Sequence, residues 1–234
     1  MENVEKSTIS PLRGVRMLHK ANVMSVVATV LAIISGITVV IATGIGLGTA
    51  LENGALSGGM MTVGVISALV TVASVVFLLV AGIMEIVALF KLSPVHAGYK
   101  TALIWVLISL VASLIVSLPT LPAAGEPSPM YQIFSKIWEL VPPIFAMLKV
   151  YFVIGATAAI LTAQGDTTVT AKGESVRKTY VICTIVIVVA ELAALIPMFD
   201  GIVDIVTIVT SVIQLIALFK YIGFLGDAGK ALEA

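Results

Sequence analysis

The sequence predicts an all-α, polytopic transmembrane helical bundle. Three observations predict it: a very apolar composition, six apolar runs of spanning length, and basic residues gathered into alternate connections. Hydrophobic residues make up 59% of the 234 positions and charged residues only 11%, against about 25% in an ordinary soluble domain. Mean hydropathy is +1.16. A water-soluble fold of this length has too few polar groups here to cover its surface, whereas lipid needs none.

A helix crosses the hydrocarbon core with about 20 apolar residues. The runs fall at 22–43, 62–90, 101–118, 143–163, 179–197 and 202–222. Helices satisfy their own backbone groups in lipid, and these runs are too long and too uniformly apolar for alternating barrel strands. The first run follows a basic stretch and exceeds a signal-peptide core, so it reads as a signal anchor.

Orientation follows from charge. Eleven of the thirteen Lys and Arg residues fall in the N-terminal segment, the second and fourth connections, and the C-terminal end. They are Lys6, Arg13, Arg16, Lys20, Lys91, Lys100, Lys172, Arg177, Lys178, Lys220 and Lys230. Lys136 alone marks the opposite side, and Lys149 lies within a span. Six spans with both termini cytoplasmic satisfy this asymmetry. Tyr99, Trp105, Tyr180 and Tyr221 then stand at the inner interface, and Tyr131, Trp138 and Phe199 at the outer one. The expected organisation is a cytoplasmic basic segment, 1–20, and a single transmembrane domain, 21–234, with a short cytoplasmic tail.

The stretch Glu85-Ile-Val-Ala-Leu-Phe-Lys91 recurs as Gln214-Leu-Ile-Ala-Leu-Phe-Lys220. Lys20, Lys100 and Lys178 each precede an outward span. The spans therefore read as three tandem helical hairpins, about 21–91, 100–163 and 178–222. This layout resembles that of mitochondrial carriers. Their Pro-x-Asp/Glu-x-x-Lys/Arg signature is absent, so nothing of their function is carried over.

The connections carry further signals. Gly44, Gly46, Gly48, Gly54, Gly58 and Gly59 predict an outer turn; no Lys-Ser/Thr follows, so a phosphate loop is not indicated. Ser128-Pro129 opens a short amphipathic helix on the outer interface, with Met130, Ile133, Phe134, Ile137, Trp138 and Val141 on its apolar face. Pro142-Pro143 ends it. The connection holding Lys172, Arg177 and Lys178 is read as a cytoplasmic loop.

Small and polar residues inside the spans mark packing faces. Ala28, Ala32 and Gly36 form one stripe, and Ser109, Ser113 and Ser117 another. Ser67, Thr71, Ser74, Gly82 and Glu85 share a face of the second span; Asp204, Thr207, Ser211 and Gln214 share one of the sixth. Asp200 is the expected N-cap of the sixth helix.

A candidate intramembrane polar site comprises Glu85, Lys149, Glu191, Asp204 and Gln214. A charge at mid-bilayer costs at least about 2.5–3.5 kcal/mol, so partners are expected. Lys149 and Glu191 each fall about 9 Å below the outer end of their runs, which predicts an ion pair.

No serine-hydrolase or zinc-protease pattern occurs, and neither His19 nor His96 lies within a span. One cysteine, Cys183, allows no internal disulfide. Net charge is zero, so no nucleic-acid partner is implied. No enzyme activity, cofactor or metal is expected. The expected partners are the lipid bilayer and a further protein or a second copy. The functional expectation is a membrane-embedded accessory or structural component. The alternative is a small-solute or ion transporter or channel working through intramembrane carboxylates.

Overall fold

A computed structural model describes residues 11–53, 58–117, 138, 140–193 and 200–233. Within its helices, only the backbone is described for 39–53, 58–64, 113–117, 200–208, 210, 211 and 214. Six helices follow one another, and no strand occurs among the described residues: α1 Pro11–Asn53, α2 Gly58–Leu92, α3 Ala97–Ser117, α4 Val141–Ala163, α5 Thr167–Ala193 and α6 Asp200–Ala231. Pro11–Thr38, Val65–Leu92 and Val141–Ala163 are long and apolar enough to cross a membrane, and Ala97–Ala112 is a shorter apolar helix. These segments mark a membrane protein. The amphipathic helix expected from Ser128 falls on 118–137 and lies outside the described residues.

Two elements differ from expectation. Gly44, Gly46 and Gly48 are helical within α1 rather than part of a turn. No proline interrupts this apolar stretch, and a helix is the conformation in which its backbone needs no water. Likewise Lys172, Arg177 and Lys178 lie inside α5, which starts at Thr167, well before the apolar run at 179–197.

The short α4–α5 turn has a clear local cause. Gly165 takes φ +87°. Its N–H bonds the carbonyl of Thr162 at 3.0 Å, and the N–H of Asp166 bonds the carbonyl of Leu161 at 3.0 Å. This is the paired closure of a helix that ends on glycine. Asp166 then caps the next helix: its Oδ1 accepts the Val169 N–H at 3.0 Å. Pro142 and Pro143 occupy the first turn of α4, where their missing donors cost nothing.

The chain divides into two compact units, Met17–Val87 and Met1–Arg16 with Ala88–Ala234. In the first, buried residues recur every seven positions: Ala21, Ala28 and Ser35 on α1, and Ser67, Ser74 and Ala81 on α2. Seven-residue spacing follows one seam of a nearly antiparallel helix pair. The stripe expected at Ala28, Ala32 and Gly36 is corrected accordingly. Ala28 is buried, but Ala32 and Gly36 are exposed, because a four-residue step rotates away from that seam. Large side chains cover the outside, among them Ile33, Ile37, Leu69, Val72 and Leu79.

In the second unit α4 packs against α3, α5 and α6, and α5 packs against α6. The α4 residues Val150, Val153, Ile154, Ala156, Thr157, Ala158 and Leu161 are buried. Trp105 of α3 stacks on Phe145 of α4 with ring centroids 5.3 Å apart. A Cβ on Gly173 would stand 2.6 Å from Phe224 and 3.2 Å from Ile154, so α5 closes tightly on both α4 and α6 there.

Candidate functional site

A cluster of hydroxyl groups lies where the two helices of the first unit meet. Ser35 and Ser67 are each 4% exposed. Ser35 Oγ donates to the Ser67 carbonyl at 3.0 Å, and Ser67 Oγ donates to the Ser35 carbonyl at 3.2 Å. Thr71 Oγ1 lies 3.0 Å from Ser35 Oγ and 2.9 Å from its own-helix acceptor, the Ser67 carbonyl. Three hydroxyl protons thus have acceptors inside the seam. Ser74 returns its proton to the Val70 carbonyl at 2.8 Å. Side chains this short reach the opposite backbone only because the seam residues are small. Chemically this is helix–helix adhesion: each hydroxyl donates to a backbone carbonyl or to another hydroxyl of the same cluster.

Glu85 lies on α2 in the same unit, half-buried. Lys149 on α4 and Glu191 on α5 are also half-buried. Asp204 and Gln214 belong to α6, but their side chains lie outside the described residues.

The contacts between α4 and α5 set a register that separates Lys149 from Glu191. Arg177 lies over the Tyr151 ring, 4.6 Å from its centroid, and Gly173 faces Ile154. Carried along the two helices, these contacts set Lys149 level with Lys178 and Thr179. Glu191 is then about 18 Å away along the axis at 1.5 Å per residue. Among the described residues no ion pair joins the two. The cause is the early start of α5: the tight turn at Gly165 slides α5 along α4, so equal distances from the ends of two apolar runs do not mean equal depth.

A second buried polar contact joins α3 to α4. Tyr99 and Thr157 are both fully buried, and their hydroxyls lie 2.8 Å apart. Thr157 also lies 2.8 Å from the Val153 carbonyl. At the start of α3, His96 Nδ1 accepts the Gly98 N–H at 3.0 Å. Gly98 permits a close approach, since a Cβ there would meet Ala156 at 3.0 Å and the Phe152 carbonyl at 3.2 Å.

The second unit carries ion pairs both between and within its helices. Arg16 pairs with Glu233 and Lys172 with Asp227. Arg177 pairs with Glu174 at 2.7 Å. A Cβ on Gly14 would collide with the Leu92 side chain. The beginning of α1 therefore touches the end of α2 and the end of α6.

The repeated stretch shows one further regularity in this unit. Ala88 and Ala217 are fully buried, Phe90 and Phe219 are exposed, and Leu92 and Tyr221 are fully buried. Lys91 and Lys220 are exposed as well. The comparison of Glu85 with Gln214 lies outside the described side chains.

The seven-residue seam was visible in the sequence as Ser/Ala-x6-Ser/Ala on both runs. Stripes at four-residue spacing overlap it and mask it. The chain matches no family model, no curated protein and no solved structure.

Proposed function

We propose that this chain is a multi-pass integral membrane protein of six spans, arranged as three tandem hairpins with both termini on the cytoplasmic side. We propose further that it serves as a membrane-embedded accessory or structural component. The observation that carries this reading is the reciprocal Ser35–Ser67 exchange inside a seam of small residues, with large apolar side chains turned outward. That arrangement is inside-out for water and suited to lipid, where small residues and interhelical hydroxyls hold helices together. The buried hydroxyls act on neighbouring helices rather than on a substrate.

The shared sidedness draws support from the end contacts. Arg16–Glu233, Gly14–Leu92 and Lys172–Asp227 bring together the N-terminal segment, the end of α2, the start of α5 and the end of α6. These are segments that carry the excess of Lys and Arg.

The test has two parts. The chain is expected to stay with membranes through alkaline carbonate extraction. Reporters fused at Gly54, Glu126 and Met198 are expected to read outside, and those at His96 and Gly173 inside. Extraction by carbonate, or one reporter on the wrong side, rejects the six-span topology. For the role, purified protein in planar bilayers with potassium chloride is expected to conduct no more than protein-free membranes. A current abolished by Glu85→Gln would replace the structural reading with that of a channel.

A further inference from the structure

Two four-residue steps, Ala88–Lys91 on α2 and Ala217–Lys220 on α6, present the same pattern. Each alanine is fully buried, while Phe90 is 69% and Phe219 is 53% exposed. The lysine that follows each phenylalanine is exposed, and the next residue, Leu92 or Tyr221, is fully buried. Each step thus turns a phenyl ring and an ammonium outward while its flanking residues anchor the helix inward.

Arg16, Lys172 and Arg177 have carboxylate partners within the chain. Lys91 and Lys220 make no ion pair among the described residues. Exposed apolar residues precede Lys220 on its helix, Val212, Ile213, Leu215, Ile216 and Phe219. An acidic peptide would have to lie against this hydrocarbon-like surface. A phospholipid matches it, with acyl chains along the apolar residues and a phosphate at the ammonium. Lysine stems are long enough to carry the charge to headgroup level.

Resting on the membrane reading above, we propose that Phe90–Lys91 and Phe219–Lys220 are a repeated pair of anchors for anionic phospholipid headgroups in the cytoplasmic leaflet. Both helices run from outside to inside in that topology, so each ring lies one residue nearer the hydrocarbon than its lysine. The ring packs on acyl chains, and the ammonium neutralises a headgroup phosphate.

The test uses the full chain in a neutral detergent, titrated with dioleoyl phosphatidylglycerol, dioleoyl phosphatidylcholine or glycerol 1-phosphate. Bound lipid is counted by native mass spectrometry and followed by thermal melting. Phosphatidylglycerol is expected to bind more tightly than phosphatidylcholine, and Lys91→Gln with Lys220→Gln to weaken it about tenfold or more, each basic residue near an anionic surface counting for about fivefold. Lys91→Arg with Lys220→Arg is expected to retain binding. Lys172→Gln, whose cation is already paired with Asp227, is expected to change it less than about twofold. Unchanged phosphatidylglycerol binding in the double glutamine variant overturns the proposal. So does an equal loss in Lys172→Gln, or equal binding of free glycerol phosphate. These exposed lysines can be changed without disturbing the core, and carbonate extraction of the same variants tests the membrane reading separately. Loss of membrane retention rejects that reading, whereas retention with no lipid preference rejects only the anchors.

Discussion

Ser35 and Ser67 exchange hydrogen bonds reciprocally, each hydroxyl donating to the other's backbone carbonyl. The exchange fixes the antiparallel register of α1 and α2 within their unit. It sets Ala28 opposite Ser74 and Ala21 opposite Ala81.

Two measurements follow from that register. Ser35→Ala and Ser67→Ala are each expected to destabilise by about 0.5–2 kcal/mol, the range for interhelical hydroxyl bonds in membranes. Their combination should cost less than the sum, because the hydroxyls share one network. In a Cys183→Ala background, Ser35→Cys with Ser67→Cys and Ala28→Cys with Ser74→Cys are expected to oxidise readily. Ile33→Cys with Leu69→Cys, both exposed, is expected to stay reduced. Cross-linking of the exposed pair alone would show that the seam has been placed on the wrong faces.

A second prediction concerns Gly173. Any side chain there meets the fully buried Phe224 ring, and Ile154 blocks relief on the α4 side. Gly173→Ala is expected to cost about 1–3 kcal/mol through overpacking. Phe224→Leu should recover part of that loss when combined with it, since a smaller partner returns the space. Melting of the two single variants and the double variant in detergent measures this. A Gly173→Ala protein as stable as the parent would remove the close approach of α5 and α6.

His96 supplies the third. Its ring nitrogen accepts the Gly98 N–H, one of the donors left free at the start of α3. Asparagine can make the same bond, and alanine cannot. His96→Ala is expected to speed hydrogen exchange at the first α3 amides and to cost about 0.5–2 kcal/mol. His96→Asn should leave exchange there near the parent level. Equal effects of the two substitutions would show that the ring acts by packing instead.

Much of the helical architecture was legible because apolar runs of spanning length have one conformation available in lipid. The expected 143–163 and the observed Val141–Ala163 nearly coincide, with Pro142-Pro143 marking the start. What apolarity could not show was how far helices continue beyond the hydrocarbon. Thr167–Lys178 is polar but helical, and its true beginning was written in Gly165-Asp166, a stop followed by a cap. The candidate site depended on that boundary. Depth measured from the end of an apolar run assumes that neighbouring runs end together, and the early start of α5 breaks the assumption. The seam of the first unit was present as seven-residue spacing, but spacing alone does not say whether a four-residue or a seven-residue stripe meets the partner. The Ser35–Ser67 bonds decide it.

The last prediction follows from the α4–α5 register. Tyr151 lies beside Arg177 and Ile154 beside Gly173, so Lys149 is level with the start of the apolar part of α5 and Glu191 lies several turns further along. Groups that far apart on packed helices act independently. Lys149→Met and Glu191→Leu are therefore expected to change stability additively, to within about 0.5 kcal/mol, when melting is compared across the two single variants and the double variant. Had the two formed a buried pair, each single change would cost several kcal/mol, and the double change would recover most of it by removing both charges together. A short bifunctional thiol reagent offers an independent measure in the Cys183→Ala background. It should fail to bridge Lys149→Cys and Glu191→Cys, yet bridge Tyr151→Cys and Arg177→Cys, whose parent side chains touch. Strong rescue in the double variant, or an efficient 149–191 bridge, would mean that α5 sits about three turns away from the register described, and the contacts of Gly173 with Phe224 and Ile154 would have to be given up with it.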